Sequence, residues 1–375
     1  MASSRLNRFQ EYYFSICWQE KNLFQSFMKK TAFFVFNKAN FRSTIYNYIF
    51  KKNYFQEKLI SKKITRSLYF ELTNRCNAAC VFCPYPEMKR PYKYMSMDLF
   101  KDTIDQYSIM GGKSVGFTPI VGDPMLDKHI LERIDYIENE TLINHLSFYS
   151  NGIAFVPKKI DQLLVERKLD ISVSLSFGGY DQESYKKVMG VDMYNVVKKN
   201  LIYLLTQYKK NPIKNLKLKI DYRYPEEFRN DELSILLEEA KERKLITSDT
   251  LGGVFDTFGG NITQKKLDEA NMDFKLHYGH PKVGPCAVLY WKPIILADGK
   301  VNACAERDLE TDLIIGDLNQ EKLKDIIYGE KMESLMESFN NKKNMPKVCQ
   351  KCTVYQSIYN PSSKVWSNGL NWITN

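Results

Sequence analysis

Between residues 67 and 262, short strand-like runs alternate with stretches of helical periodicity, and this alternation limits the fold more than any other feature. The strand-like runs fall at 67–72, 114–121, 145–149, 171–176, 216–222 and 253–258. Helical stretches lie between them, for example at 97–107, 127–137 and 195–208. Strands and helices in this order form βαβ units around a parallel sheet. Six such units predict an α/β fold of the partial (β/α)6 barrel kind, with chemistry at the carboxyl ends of the strands. At 375 residues the chain has room for this domain, a smaller one and an extension.

The flanks differ in character. Residues 1–66 are rich in Phe, Tyr and Lys, with Leu23, Phe24, Phe27, Met28, Phe34 and Val35 on one helical face and Ile45, Ile49, Phe55 and Leu59 on a second. They hold thirteen Lys or Arg against three Glu, which accounts for the whole formal charge of +10. Such a helical extension either packs its aromatic faces on the barrel or rests as a basic arm on an anionic membrane surface. The rest of the chain is neutral, so no nucleic-acid footprint is expected. No apolar run is long enough to span a bilayer, because Lys29, Lys30 and Lys38 interrupt the most apolar stretch, and no signal peptide is evident. A cytoplasmic protein, peripheral to the membrane at most, is expected. Residues 263–375 form a third region, with strands at 291–296 and 300–304 joined by an Asp298-Gly299 turn and a helix near 320–327.

In a reducing compartment, clustered cysteines point to metal sites or catalysis. Of the eight cysteines only Cys17 stands alone. Cys76, Cys80 and Cys83 have C-x3-C-x2-C spacing in a loop after the first strand, and three thiolates can bind three irons of a [4Fe–4S] cube. The fourth iron then stays open, as a catalytic metal requires. Cys286, Cys304, Cys349 and Cys352 supply four thiolates, a complete set for a closed cluster. Zinc is the alternative at both sets; His277 and His280 precede the second and are ordinary surface residues on this reading.

The segment Glu71-Leu72-Thr73-Asn74-Arg75-Cys76-Asn77-Ala78-Ala79-Cys80-Val81-Phe82-Cys83 resembles the radical S-adenosylmethionine superfamily, over residues 67 to about 355. The resemblance implies that S-adenosylmethionine chelates the open iron. An electron drawn from a flavodoxin- or ferredoxin-type reductant then cleaves it to methionine and a 5′-deoxyadenosyl radical. Val121-Gly122-Asp123-Pro124 is similar to the family's GGEP segment, departing from it at Val121 and Asp123. Ser150-Asn151-Gly152 is similar to the segment near the ribose, and Ser174 matches a serine that touches the cofactor. Phe82, Gly122, Asp123, Ser150, Asn151 and Ser174 are thus the implied cofactor-binding residues.

The second set is similar to the auxiliary-cluster domain called SPASM, in the shortened form called twitch. Its spacing is most similar to that of the twitch dehydrogenase which oxidises an aminocyclitol alcohol in butirosin biosynthesis. A closed auxiliary [4Fe–4S] cluster is suited to accepting an electron, which implies oxidation of an alcohol on a sugar or cyclitol. Asp221, Arg223 and Asp256, near strand ends, are the base candidates, and Asn261 a substrate contact. Three other readings stay open. They are maturation of a ribosomally made peptide, epimerisation with Cys17 as hydrogen donor, and a non-catalytic metal-bound adaptor.

Overall fold

The computed structural model describes residues 67–356, apart from residues 118, 119, 226, 251–253, 273, 278–281, 283 and 340–343. The expected N-terminal helices and Cys17 lie outside the described residues. Six parallel strands follow one another in space as in sequence: β1 (Leu68–Phe70), β2 (Ser114–Gly116), β3 (His145–Ser150), β4 (Asp170–Phe177), β5 (Leu216–Tyr222) and β6 (Ile246–Thr250). Helices α1 (Met97–Ile109), α2 (Ile130–Glu140), α3 (Pro157–Leu163), α4 (Gln182–Met189), α5 (Tyr194–Lys210) and α6 (Glu232–Glu242) connect them.

The two faces of the sheet differ. In β4, Ile171, Val173, Leu175 and Phe177 are buried, whereas Ser172, Ser174 and Ser176 are only half-buried. The period of two puts these sets on opposite faces. The pairing Tyr149↔Ser174↔Lys219 continues the polar face across β3, β4 and β5. A parallel sheet with helices on both faces would be apolar on both. Here one face of the strands is buried in the apolar core, and the other carries polar, half-exposed side chains. Beneath the helical layer, Phe70, Phe100 and Phe117 pack edge to face at centroid distances of 5.1–6.4 Å.

Two expectations need correction. The run expected as the sixth barrel strand, 253–258, contributes β7 (Val254–Asp256), which pairs instead with β8 (Lys275–His277) in a separate two-stranded sheet. The sixth strand is β6, whose Thr247, Ser248 and Asp249 are exposed. An edge strand open to solvent needs no apolar face, so hydrophobicity pointed to the wrong segment. Trp291, expected in a strand, ends helix α8 (Ala287–Trp291), which follows α7 (Gln264–Glu269).

The Asp298-Gly299 turn joins β9 (Ile294–Ile295) to β10 (Lys300–Asn302), with Gly299 at φ +90°. β10 pairs with β11 (Ile314–Asp317), and β9 lies parallel to β1. The hairpin therefore prolongs the main sheet to nine strands, in the order β11-β10-β9-β1-β2-β3-β4-β5-β6. Short helices α9 (Leu323–Ile327), α10 (Glu330–Ser338) and α11 (Lys347–Lys351) complete the described chain. Among the described residues, no helix is long and apolar enough to cross a membrane.

Candidate active site

The loop carrying the first three cysteines leaves the carboxyl end of β1 and is clamped from two sides. On one side, the Ala79 and Val81 amides donate to the Met189 and Val188 carbonyls at 3.0 Å each, at the end of α4. That helix starts with a reciprocal Asp181–Ser184 cap and stops at Gly190, whose φ is +70°. A Cβ at Gly190 would stand 2.2 Å from the Ala79 carbonyl oxygen. On the other side, Gly122 at φ +110° lies against the 73–75 backbone, and the Asp123 amide donates to the Arg75 carbonyl at 2.8 Å. Glycine is required at both places because the loop backbone occupies the space of a side chain.

Burial pushes the Cys76 thiol up to about 12, aided by the Asp123 carboxylate; burial and the neighbouring thiols push Cys80 upward too. Burial raises Cys83 too, and its proximity adds to the rise at Cys76 and Cys80, so the three thiols lie near one another. The four later cysteines are likewise brought together. Cys286 precedes α8, Cys304 follows β10, and Cys349 and Cys352 lie within and just after α11. Burial raises each, Cys286 to about 12, and neighbouring thiols add to the rise at Cys286, Cys304 and Cys349. The Glu306 amide points at Cys304 Sγ from 3.4 Å and the Gln356 amide at Cys286 Sγ from 3.5 Å. Among the described residues, no three His, Cys, Asp or Glu side chains are close enough to share one metal ion. Three and four thiols are the donor sets that an iron–sulfur cluster takes, each thiolate binding a different iron. Cluster binding must displace the thiol protons, so acid opposes it.

The expected cofactor residues gather beside the first loop. Asp123 is buried, and its carboxylate accepts from the Met125 amide at 2.9 Å, the Ser150 hydroxyl at 2.9 and 3.1 Å and the Asn151 amide at 2.8 Å. It thereby fastens the end of β2 to the end of β3. Asn151 Nδ2 donates to Asn77 Oδ1 at 2.8 Å and reaches Cys76 Sγ at 3.6 Å. Ser174 sits on the polar face of β4. The Phe82 ring packs edge to face on Phe255 and beneath the Arg223 guanidinium, 5.2 Å from the ring centroid.

The base candidates separate. Asp221 is buried between Lys219, 2.8 Å away, and Arg223 at 3.6 Å. Asp256 is held by both arms of the Arg307 guanidinium at 2.8 and 3.0 Å, a fork that occupies its two oxygens. Asn261 turns back on the Phe258 carbonyl. Sequence reasoning missed Arg307, Glu306 and Lys292; the Glu306 carboxylate bridges the two cations at 3.3 and 2.5 Å. It also missed Tyr185, whose fully buried hydroxyl has no hydrogen-bond partner among the described residues.

A family model described as the radical SAM superfamily matches residues 70–216, and one described as an iron–sulfur cluster-binding domain, SPASM, matches residues 286–353. Among characterised proteins, the GTP 3′,8-cyclase of Desulforamulus reducens is 25% identical over 134 residues, 35% of this chain. The mycofactocin maturase MftC of Mycolicibacterium smegmatis is 30% identical over 109 residues, 29% of this chain. These matches span only 39% and 26% of the two relatives. The crystal structure of Streptococcus suis SuiB bound to its precursor peptide SuiA superposes with a TM-score of 0.53 at 16% identity, covering 80% of this chain and 75% of that one.

Proposed function

We propose that this chain, a member of the radical SAM superfamily with a SPASM iron–sulfur domain, oxidises an alcohol carbon of a polar small molecule such as a sugar or cyclitol. The observation that carries this reading is the second thiol set. Four thiols leave no ligand position for substrate, so its cluster is suited to taking an electron from the substrate. With S-adenosylmethionine bound, the N-terminal cluster supplies hydrogen-atom abstraction from carbon and leaves methionine and 5′-deoxyadenosine.

The chain's own residues do the rest. Cys76, Cys80 and Cys83 hold the first cluster at the mouth of the sheet. Asp123 keeps Ser150 and Asn151 in place beside Cys76. The half-buried serines of β4 offer hydroxyls to a polar substrate. Asp221 is the carboxylate left to take the hydroxyl proton, since Asp256 is committed to Arg307. Phe82 and Arg223 cover the cysteine loop from the β5 side.

Asp123→Ala should weaken S-adenosylmethionine binding about tenfold to a hundredfold, the range for losing one charged hydrogen-bonding group. Iron content should not change, because no thiol is removed. Equal affinity in the variant, read by equilibrium binding to reconstituted protein, would mean that the β2-end motif lies elsewhere.

A peptide is the second reading for the substrate. The 30% identity to a mycofactocin maturase over 109 residues favours it. Candidate alcohols and peptides deuterated at the attacked carbon separate the two. Oxidation should place deuterium in 5′-deoxyadenosine, release one methionine per product, and give a product two hydrogens lighter than its substrate. A product of substrate mass carrying hydrogen from solvent would rule out net oxidation.

A further inference from the structure

Tyr185 lies on α4, one turn before Met189. Residues four apart share a helix face. Met189 gives that face its direction, since its sulfur touches Cys80 Sγ at 3.8 Å and its carbonyl holds the Ala79 amide. Tyr185 is therefore turned toward the cysteine loop. The side chain is fully buried, and its hydroxyl is without a partner among the described residues. After burial, the charges of Cys80, Asp123 and Cys76 push the phenol upward, so the oxygen lies in their field. Its ring is held in place by Tyr194, 6.1 Å away between centroids.

A buried hydroxyl without a partner is costly, and native proteins keep few of them. Phenylalanine would fill the same space at no such cost. The hydroxyl therefore needs a function that a cluster bound at this loop would reveal.

We infer that the Tyr185 hydroxyl donates a hydrogen bond to the sulfur of the cluster held by Cys76, Cys80 and Cys83, and thereby raises that cluster's reduction potential. Donors to cluster sulfur stabilise the more negative, reduced state. Tyr185 thus acts on the potential of the cluster and not on the substrate. The inference rests on the assignment of the three cysteines to that cluster.

The test is Tyr185→Phe in the full chain, measured with and without clusters. Without clusters, the variant should melt at the same temperature as the unaltered protein or higher, because an unsatisfied polar group has gone. With clusters, iron content should be unchanged. Redox titration followed by electron paramagnetic resonance should show the N-terminal cluster at a lower potential and the C-terminal cluster unmoved. A lower melting temperature in the cluster-free variant, or loss of iron, would make Tyr185 a structural residue and overturn the inference. An unchanged N-terminal potential, or an equal shift of both clusters, would also overturn it. Iron equivalent to a single cluster in the unaltered protein would instead count against the cysteine assignments.

Discussion

Replacing Cys76, Cys80 and Cys83 together by Ala should leave reconstituted protein with about four irons instead of about eight, and with no cleavage of S-adenosylmethionine. The two thiol sets stand on different elements, so losing one need not unmake the other. The first belongs to the loop after β1. The second is spread over the start of α8, the end of β10 and the α11 turn. The emptied loop should keep its place, because backbone bonds to Val188, Met189 and Asp123 hold it independently of sulfur. A folded protein with half its iron and no activity is therefore the expected result. Iron and sulfide assays, with chromatography of 5′-deoxyadenosine, report it directly. Eight irons retained in the triple variant would disprove the assignment.

Gly190→Ala should cost about 2–4 kcal/mol and empty the first site while the second stays loaded. Two penalties coincide at this residue. Its φ of +70° disfavours any side chain, and the new methyl would stand 2.2 Å from the Ala79 carbonyl oxygen. That oxygen belongs to backbone already bonded to α4, so no flexible side chain can give way. The loop itself must move, and Ala79 is the residue next to Cys80. Gly111→Ala serves as the control. There φ is +86° but nothing lies within 4 Å of the added carbon, so only the conformational penalty of about 1–2 kcal/mol applies. Equal loss of melting temperature and of iron in the two variants would refute the clamp.

What the sequence made legible was local. The cysteine spacing, the strand periods of β3, β4 and β5 and the Asp298-Gly299 turn all depend on residues within a short stretch of chain. β6 escaped notice because a solvated edge strand carries Thr247, Ser248 and Asp249 where an apolar run would have marked it. The neighbours of Asp123 were singled out as separate motifs, but nothing in the residues says that its carboxylate joins Ser150 and Asn151 across two strand ends. The Asp256–Arg307 fork spans 51 positions, so nothing local in the sequence marks it. Tyr185 reads in sequence as one more aromatic on a helix's inner face. Only the fold shows its hydroxyl buried without a partner among the described residues.

The pairing of β9 with β1 gives the C-terminal region a structural part in the main sheet. The amides of Ser67, Tyr69 and Glu71 donate to the carbonyls of Trp291, Pro293 and Ile295 at 3.1, 3.0 and 2.8 Å. Stripped of that partner, β1, the strand that leads into the cysteine loop, would present an open row of main-chain groups. Bare edges of this kind recruit other chains. The accessory region thus guards the barrel against self-association, and a lineage could not discard its cluster-binding hairpin without evolving another cover for the same edge.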